Sequence, residues 1–136
     1  MSLPRIIKED NCLYLVQDLR DMDTYERAKA IVNFCDKETK QFEKTIDSAI
    51  LEIFEKYHIN IATINKSVLK RAFDLLKDKG VEIEVNDIYK NSNDLYKSVL
   101  VKQTKLFTIW LEDDTTLQCG IEIVEHKSSR YKGVEL

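Results

Sequence analysis

The longest hydrophobic pattern in the chain is a stripe in which apolar residues recur at alternating steps of three and four. Its members are Tyr25, Ala28, Val32, Cys35, Thr39, Phe42, Ile46, Ala49 and Ile53. This heptad spacing is typical of one face of a long, coiled-coil-like helix. The stripe stays in phase across Cys35–Asp36, and neither Gly nor Pro interrupts it. The pattern therefore favours one continuous or gently kinked helix from about Met22 to Tyr57, while the alternative is two helices with Asp36 as the cap of the second.

A second helical pattern follows a short link at residues 58–64. Its apolar face consists of Val68, Leu69, Ala72, Phe73, Leu75 and Leu76. Asn65 is a residue type that favours the N-cap position, and Gly80 is typical of the residue just beyond a helix C-terminus. The sequence therefore predicts a helix that begins after Asn65 and ends at Gly80.

The hydrophobic period changes from helical to two-residue after Gly80. Val81, Ile83 and Val85 alternate with glutamates, which predicts a half-exposed strand. Two further strands are expected at about Ser98–Glu112 and Thr116–His126, joined by an acidic turn at residues 113–115.

The N-terminal run from Arg5 to Gln17 predicts another hairpin, with its turn at Asp10-Asn11. Together these patterns predict an α+β fold. We expect a long helical N-terminal half and a helix ending at Gly80, followed by a small antiparallel sheet of three to five strands made mainly from residues 81–126. Residues 1–126 are expected to form a single domain, and 127–136 a flexible polar tail.

Composition places the chain among ordinary globular domains. Its 136 residues include 24 acidic and 21 basic side chains, for a formal charge of -3, which excludes a strongly basic nucleic-acid binder. Three widely spaced cysteines suit neither a disulfide framework nor a CxxC metal knuckle. No stretch approaches the roughly 20 apolar residues of a membrane span, and the N-terminus lacks the pattern of a signal peptide. We therefore expect a cytoplasmic protein.

Catalytic, metal and cofactor sites are not indicated by any residue pattern. His58 and His126 are the two histidines, and alternation along the predicted strand places His126 on the opposite face from Cys119. The densest donor group, around Glu122 and His126, matches no ligand spacing. We expect neither a cofactor nor a metal, although a small enzyme with an unrecognised site remains the second alternative.

A winged-helix-like DNA-binding regulator is the first alternative. The order of two helices and a β-hairpin imitates that fold, and Lys66, Lys70 and Lys77 align on the presumed recognition helix. However, the link at 58–64 is too short to supply the additional helix. Residues 106–126 also carry five acidic side chains and no Lys or Arg, which would repel phosphate. The sequence therefore does not favour a nucleic-acid partner.

Self-association is the remaining signal. A helix this long in a small domain needs a partner along much of its length, and a second subunit supplies one economically. We expect a non-catalytic binding or assembly module, acting as a regulatory accessory protein and partnered by itself or by another protein. The candidate interface combines the stripe with a strand face that the helices are not expected to cover, and comprises Tyr25, Val32, Phe42, Ile46, Leu106 and Trp110.

Overall fold

A computed structural model describes residues 3–61, 63–88 and 97–127 of the chain. Along these residues the elements are β1 (Arg5–Glu9), β2 (Cys12–Asp18), α1 (Thr24–Asn33), a π-helical segment (Phe34–Glu38), α2 (Thr39–Lys56), α3 (Lys66–Asp78), β3 (Val81–Asp87), β4 (Ser98–Gln103), β5 (Thr108–Glu112) and β6 (Thr116–Lys127). This arrangement confirms the α+β class. Of the predicted tail, residues 128–136 lie outside the described residues.

One helical run extends from Thr24 to Lys56, as the unbroken hydrophobic phase predicts. Its middle, Phe34–Glu38, is a π-helix in which the N–H of Thr39 donates to the carbonyl of Phe34, five residues back. The Thr39 hydroxyl donates to the carbonyl of Cys35 at 2.8 Å and so satisfies an acceptor in the widened turn. The extra residue in this turn rotates α1 by about 100° relative to the phase of a regular α-helix.

This rotation divides the hydrophobic stripe into an exposed part and a buried part. In α1 the stripe residues Tyr25 and Val32 are 68% and 60% exposed. Beyond the π-helical segment, Thr39 and Phe42 are 4% and 0% exposed. Phe34, which lies five residues before Thr39, is fully buried. Across the π-helix, the buried residues Phe34 and Phe42 are therefore eight residues apart, instead of the seven expected for one face of a regular α-helix.

The sheet follows the order β1-β2-β6-β5-β4, with β3 also paired to β6. The N-terminal hairpin joins it because β2 runs antiparallel to β6, with Cys12 opposite Glu122 and Asp18 opposite Thr116. The predicted turn at Asp10-Asn11 is confirmed, and Asp10 has a φ of 50°. Since this hairpin adds two strands to the four that follow Gly80, the described sheet has six strands rather than three to five.

The prediction of one strand over Ser98–Glu112 was wrong. The chain folds back on itself within this stretch, and β4 pairs with β5. The Thr104 hydroxyl accepts from the N–H groups of Leu106 and Phe107, at 3.3 and 3.0 Å, and donates to the Phe107 carbonyl at 2.8 Å. A threonine side chain that bonds the local backbone offers an alternative to the strand ladder. Leu106 therefore lies in a turn.

The chain divides into two compact units. Unit 1 comprises Met1–Glu43 and Asn86–Glu122, and unit 2 comprises Lys44–Val85 and Ile123–Leu136. The buried apolar residues of unit 1 are Leu13, Leu15, Leu19, Met22, Phe34, Phe42, Phe107, Ile109, Leu117, Cys119 and Ile121. Those of unit 2 are Ile46, Ile50, Phe54, Ile59, Ala72, Leu76, Val81 and Ile123.

The ends of α3 follow the sequence signals. The Asn65 side chain accepts from the N–H of Val68 at 3.1 Å, which makes Asn65 the N-cap. Gly80 follows the helix with a φ of 81°. Both predicted ends of this helix are confirmed.

The C-terminus of α2 closes with two reversed hydrogen bonds. The N–H of Ile59 donates to the carbonyl of Phe54 at 2.8 Å, and that of His58 donates to Glu55 at 3.0 Å. This is the Schellman arrangement, in which the residue held in the left-handed conformation is usually glycine. Here that residue is His58, with a φ of 62°.

Replacing His58 by Gly is expected to stabilise the protein by about 1 kcal/mol, because Gly removes the steric cost of a Cβ in the left-handed conformation. Urea denaturation measures the gain. His58→Ala is the matched control, since it removes the ring but keeps the Cβ, and it should bring no gain. A His58→Gly variant no more stable than His58→Ala would contradict this account.

Candidate functional site

The exposed face of α1 carries large apolar side chains at the surface of unit 1, Tyr25 and Val32. None of the ten residues of α1 is buried. Tyr25, Ala28 and Val32 line an open groove of about 590 Å³ along this helix. The other residues along the groove are Lys29, Asn33, Asp36 and Lys37. The surface thus combines an apolar centre with charged flanks, as interfaces commonly do.

Contacts within unit 1 hold α1 in place. The Asp23 carboxylate caps the helix by accepting from the N–H of Glu26 at 2.8 Å. Arg27 donates to the carbonyl of Asp114 at 2.8 Å, and its Nη1 lies 3.3 Å from the Asp114 carboxylate. These contacts tie one side of the helix to the β5–β6 turn. The face with Tyr25 and Val32 is therefore presented on a fixed element.

Two charges on this face have local partners. The Lys29 ammonium lies 4.8 Å from the centre of the Tyr25 ring, a cation–π arrangement. Asp36 Oδ1 lies 3.7 Å from Lys102 Nζ, and the Asp36 side chain is 66% exposed. An exposed ion pair of this length stabilises a protein by at most about 1 kcal/mol. Asp36 can therefore accept a second cation.

The remaining residues of the predicted interface lie in other environments. Phe42 and Ile46 are 0% and 1% exposed. Leu106 is half-buried in the turn before β5, and Trp110 is half-buried on β5. Of the stripe members in the candidate interface, Tyr25 and Val32 are the two on the surface. The interface itself stays a prediction.

Trp110 borders a small cavity of about 200 Å³ in unit 1. Its neighbour across the sheet is Gln118, and the cavity is also lined by Tyr14 and Gly120. Gly120 leaves room for the tyrosine ring, because a Cβ there would lie 2.7 Å from Tyr14 Cδ1. Burial, above other causes, raises the pKa of the Tyr14 hydroxyl. The buried Trp110 indole N–H has no hydrogen-bond partner among the described residues.

The lysines of the DNA-binding alternative lie on α3. Lys66, Lys70 and Lys77 are all exposed. The described residues of the preceding link, 58–61 and 63–65, form no helix. The fold therefore shows a row of basic side chains without the additional helix of a winged-helix domain. DNA binding stays a prediction.

The residues weighed for catalysis do not assemble into a reactive group within the described ranges. His126 Nε2 lies 3.0 Å from a carboxylate oxygen of Glu84, and both side chains are at least half exposed. Burial is the largest cause that raises the pKa of the Cys35 and Cys119 thiols, which disfavours the reactive thiolate. Among residues 3–61, 63–88 and 97–127 no cluster of His, Cys, Asp and Glu could hold a metal ion.

No helix in the described part of the chain is both long enough and apolar enough to cross a membrane.

Comparison of the sequence with models of protein families finds no match, and neither the curated proteins nor the solved structures include one with significant similarity. The functional proposals therefore depend on the residues of this chain alone.

Proposed function

We propose that this protein is a non-catalytic assembly module that forms a homodimer through the exposed face of α1. The observation that carries the proposal is the apolar seam of Tyr25, Ala28 and Val32, which lies uncovered on a helix that contributes no buried residue. Covering such a seam removes apolar surface from water and favours association. The expected partner is a second copy of the same face, as in a two-fold interface.

The charges along the groove support an antiparallel pairing. Lys29 and Asp36 are seven residues apart and lie at equal distances from a centre between Val32 and Asn33. A two-fold axis at that centre places Lys29 of each copy opposite Asp36 of the other. Two opposite-charge pairs then form at once, and they set the register more than the affinity.

The residue sizes along the groove fit the same pairing. Ala28 leaves space beside the apolar centre, and the symmetric position is occupied by Lys37. A lysine can lay its aliphatic stem over a small residue while its ammonium stays in water. Val32 lies next to the axis, where it contacts its own copy.

Substitution of Val32 by Glu is expected to raise the dissociation constant of the dimer by at least about tenfold, because it buries a carboxylate pair at the axis. Sedimentation velocity over a concentration series measures this change. Val99→Glu is the matched control, since Val99 on β4 is 61% exposed against 60% for Val32. We expect Val99→Glu to dimerise like the wild type.

Charge reversal tests the register. Lys29→Glu and Asp36→Lys should each weaken the dimer, and the double variant should restore it because both pairs then return with exchanged signs. A wild-type chain that sediments as a monomer at all concentrations, or a Val32→Glu variant that dimerises normally, would overturn the proposal.

A further inference from the structure

A second cavity, of about 480 Å³, lies wholly within unit 2, between the loop that follows α2 and one face of α3. Its volume falls in the range of pockets that hold small organic molecules. Ile59, Val68 and Leu75 are among the apolar residues that line it, and Leu75 is 43% exposed although it is a large hydrophobic side chain. The cavity therefore offers an apolar surface that is open to a ligand.

Basic side chains line the same cavity. They are Arg71 and Lys79 of the α3 region, with His58 of the loop. Lys79 Nζ donates to the carbonyl of Tyr57 at 2.5 Å, which leaves two of its three N–H groups for another acceptor. Among the described residues the Arg71 guanidinium has no hydrogen-bond or ion-pair partner. Cationic donors are thus available beside an apolar surface.

The acidic residues of the helix are not among the lining residues. Asp74 and Asp78 follow Arg71 on α3 at steps of three and seven, and neither lines the cavity. The charged side chains that line the cavity are therefore basic, even though the whole chain is acidic. Positive charge on an apolar wall is complementary to a ligand that is anionic at one end and apolar at the other.

His58 also lines the cavity, at the residue where α2 ends in the left-handed conformation. Its imidazole adds a third side chain to the cavity wall that can form a hydrogen bond, together with Arg71 and Lys79.

We propose that the cavity in unit 2 binds a carboxylate that carries an apolar tail. The carboxylate accepts hydrogen bonds from the Arg71 guanidinium, which can donate two in parallel, and from Lys79. The tail lies against Ile59, Val68 and Leu75. This site uses none of the α1 residues of the proposed dimer, so the two proposals stand or fall separately.

Octanoate tests the proposal, with binding followed by amide chemical shifts in NMR titrations of the full chain. We expect saturable shifts at residues 58–61 and 68–79. Octanol, which has the tail without the charge, should bind at least about tenfold more weakly, and acetate, which has the charge without the tail, should not saturate. Equal binding of octanol and octanoate, or no saturable binding of octanoate, would overturn the proposal.

A pair of variants on the same helix locates the site. Arg71→Gln should weaken octanoate binding about tenfold, the effect of losing a charge-assisted hydrogen-bond donor. Lys70→Gln removes the same charge from an exposed neighbour that does not line the cavity, and it should bind octanoate like the wild type. Arg71→Lys should recover part of the loss, which separates recognition of the carboxylate from damage to the fold. Identical binding by Arg71→Gln and Lys70→Gln would exclude this site.

Discussion

Insertion of an alanine directly after Lys37 is expected to lower the free energy of unfolding by about 3 kcal/mol, a loss set mainly by the exposure of Phe34. The π-helical turn already accommodates one residue more than a regular α-helical turn, which keeps Phe34 on the same face as Phe42. A further residue turns the helix before it by about 100° relative to Thr39 and Phe42. Phe34, which is fully buried in the wild type, would leave the core. Arg27 would lose its contacts with Asp114.

Lys37→Ala is the control for this insertion. The substitution keeps the chain length. Because Lys37 is exposed, its replacement should change the free energy of unfolding by less than about 0.5 kcal/mol. Urea denaturation of both variants gives the comparison. If the insertion variant were as stable as Lys37→Ala, the helical phase across the π-helix would not be what places Phe34 in the core.

Replacement of Phe42 by Ala is expected to cost about 3–5 kcal/mol, because it removes a large side chain from a site that is fully buried in unit 1. The Phe42 ring packs at 53° to that of Phe107, with the ring centres 5.4 Å apart. Its loss therefore leaves a cavity and breaks an aromatic pair. Chemical denaturation measures the cost.

Two further variants separate these causes. The double variant Phe42→Ala/Phe107→Ala should be more stable than the sum of the single losses allows, by about 0.5–1.5 kcal/mol, the coupling typical of an aromatic pair. Lys40→Ala, at an exposed position on the same helix, should be close to neutral. A loss below about 1 kcal/mol for Phe42→Ala would contradict its place in the core.

The candidate dimer face shows how far sequence patterns reach. The heptad spacing identified Tyr25, Val32, Phe42 and Ile46 together as candidate interface residues. Spacing alone does not distinguish a helix face in the core from one at the surface. Exposure divides them, since the first two are at the surface and the last two are buried. The prediction therefore included the two surface residues but could not distinguish them from the two buried ones.

The cavity in unit 2 left no sequence signal. Its walls come from residues 58–61 and from α3, and no local spacing relates those two segments. His58 in a left-handed conformation was also not predictable, because glycine is the residue that normally marks such a position. The sequence pattern indicated the lysines of this helix for ligand binding, whereas the fold places Arg71 beside apolar residues.

The sequence by itself determined the elements whose causes are local. The unbroken apolar phase specified one helix near residues 22–57, Asn65 and Gly80 specified the ends of α3, and the two-residue alternation specified β3 and β6. These outcomes depend on side-chain period and capping, which act within a few residues.

The tertiary structure decided what depends on packing between distant segments. The stretch 98–112 is interrupted at Thr104, where the chain turns so that β4 can pair with β5. The alternation of apolar and polar residues could not reveal this turn. The π-helix at Phe34–Glu38 has no residue signature either. It places both Phe34 and Phe42 in the core of unit 1, although their spacing does not fit one face of a regular α-helix. Because the same turn changes the helical phase, the seam of Tyr25 and Val32 is left at the surface.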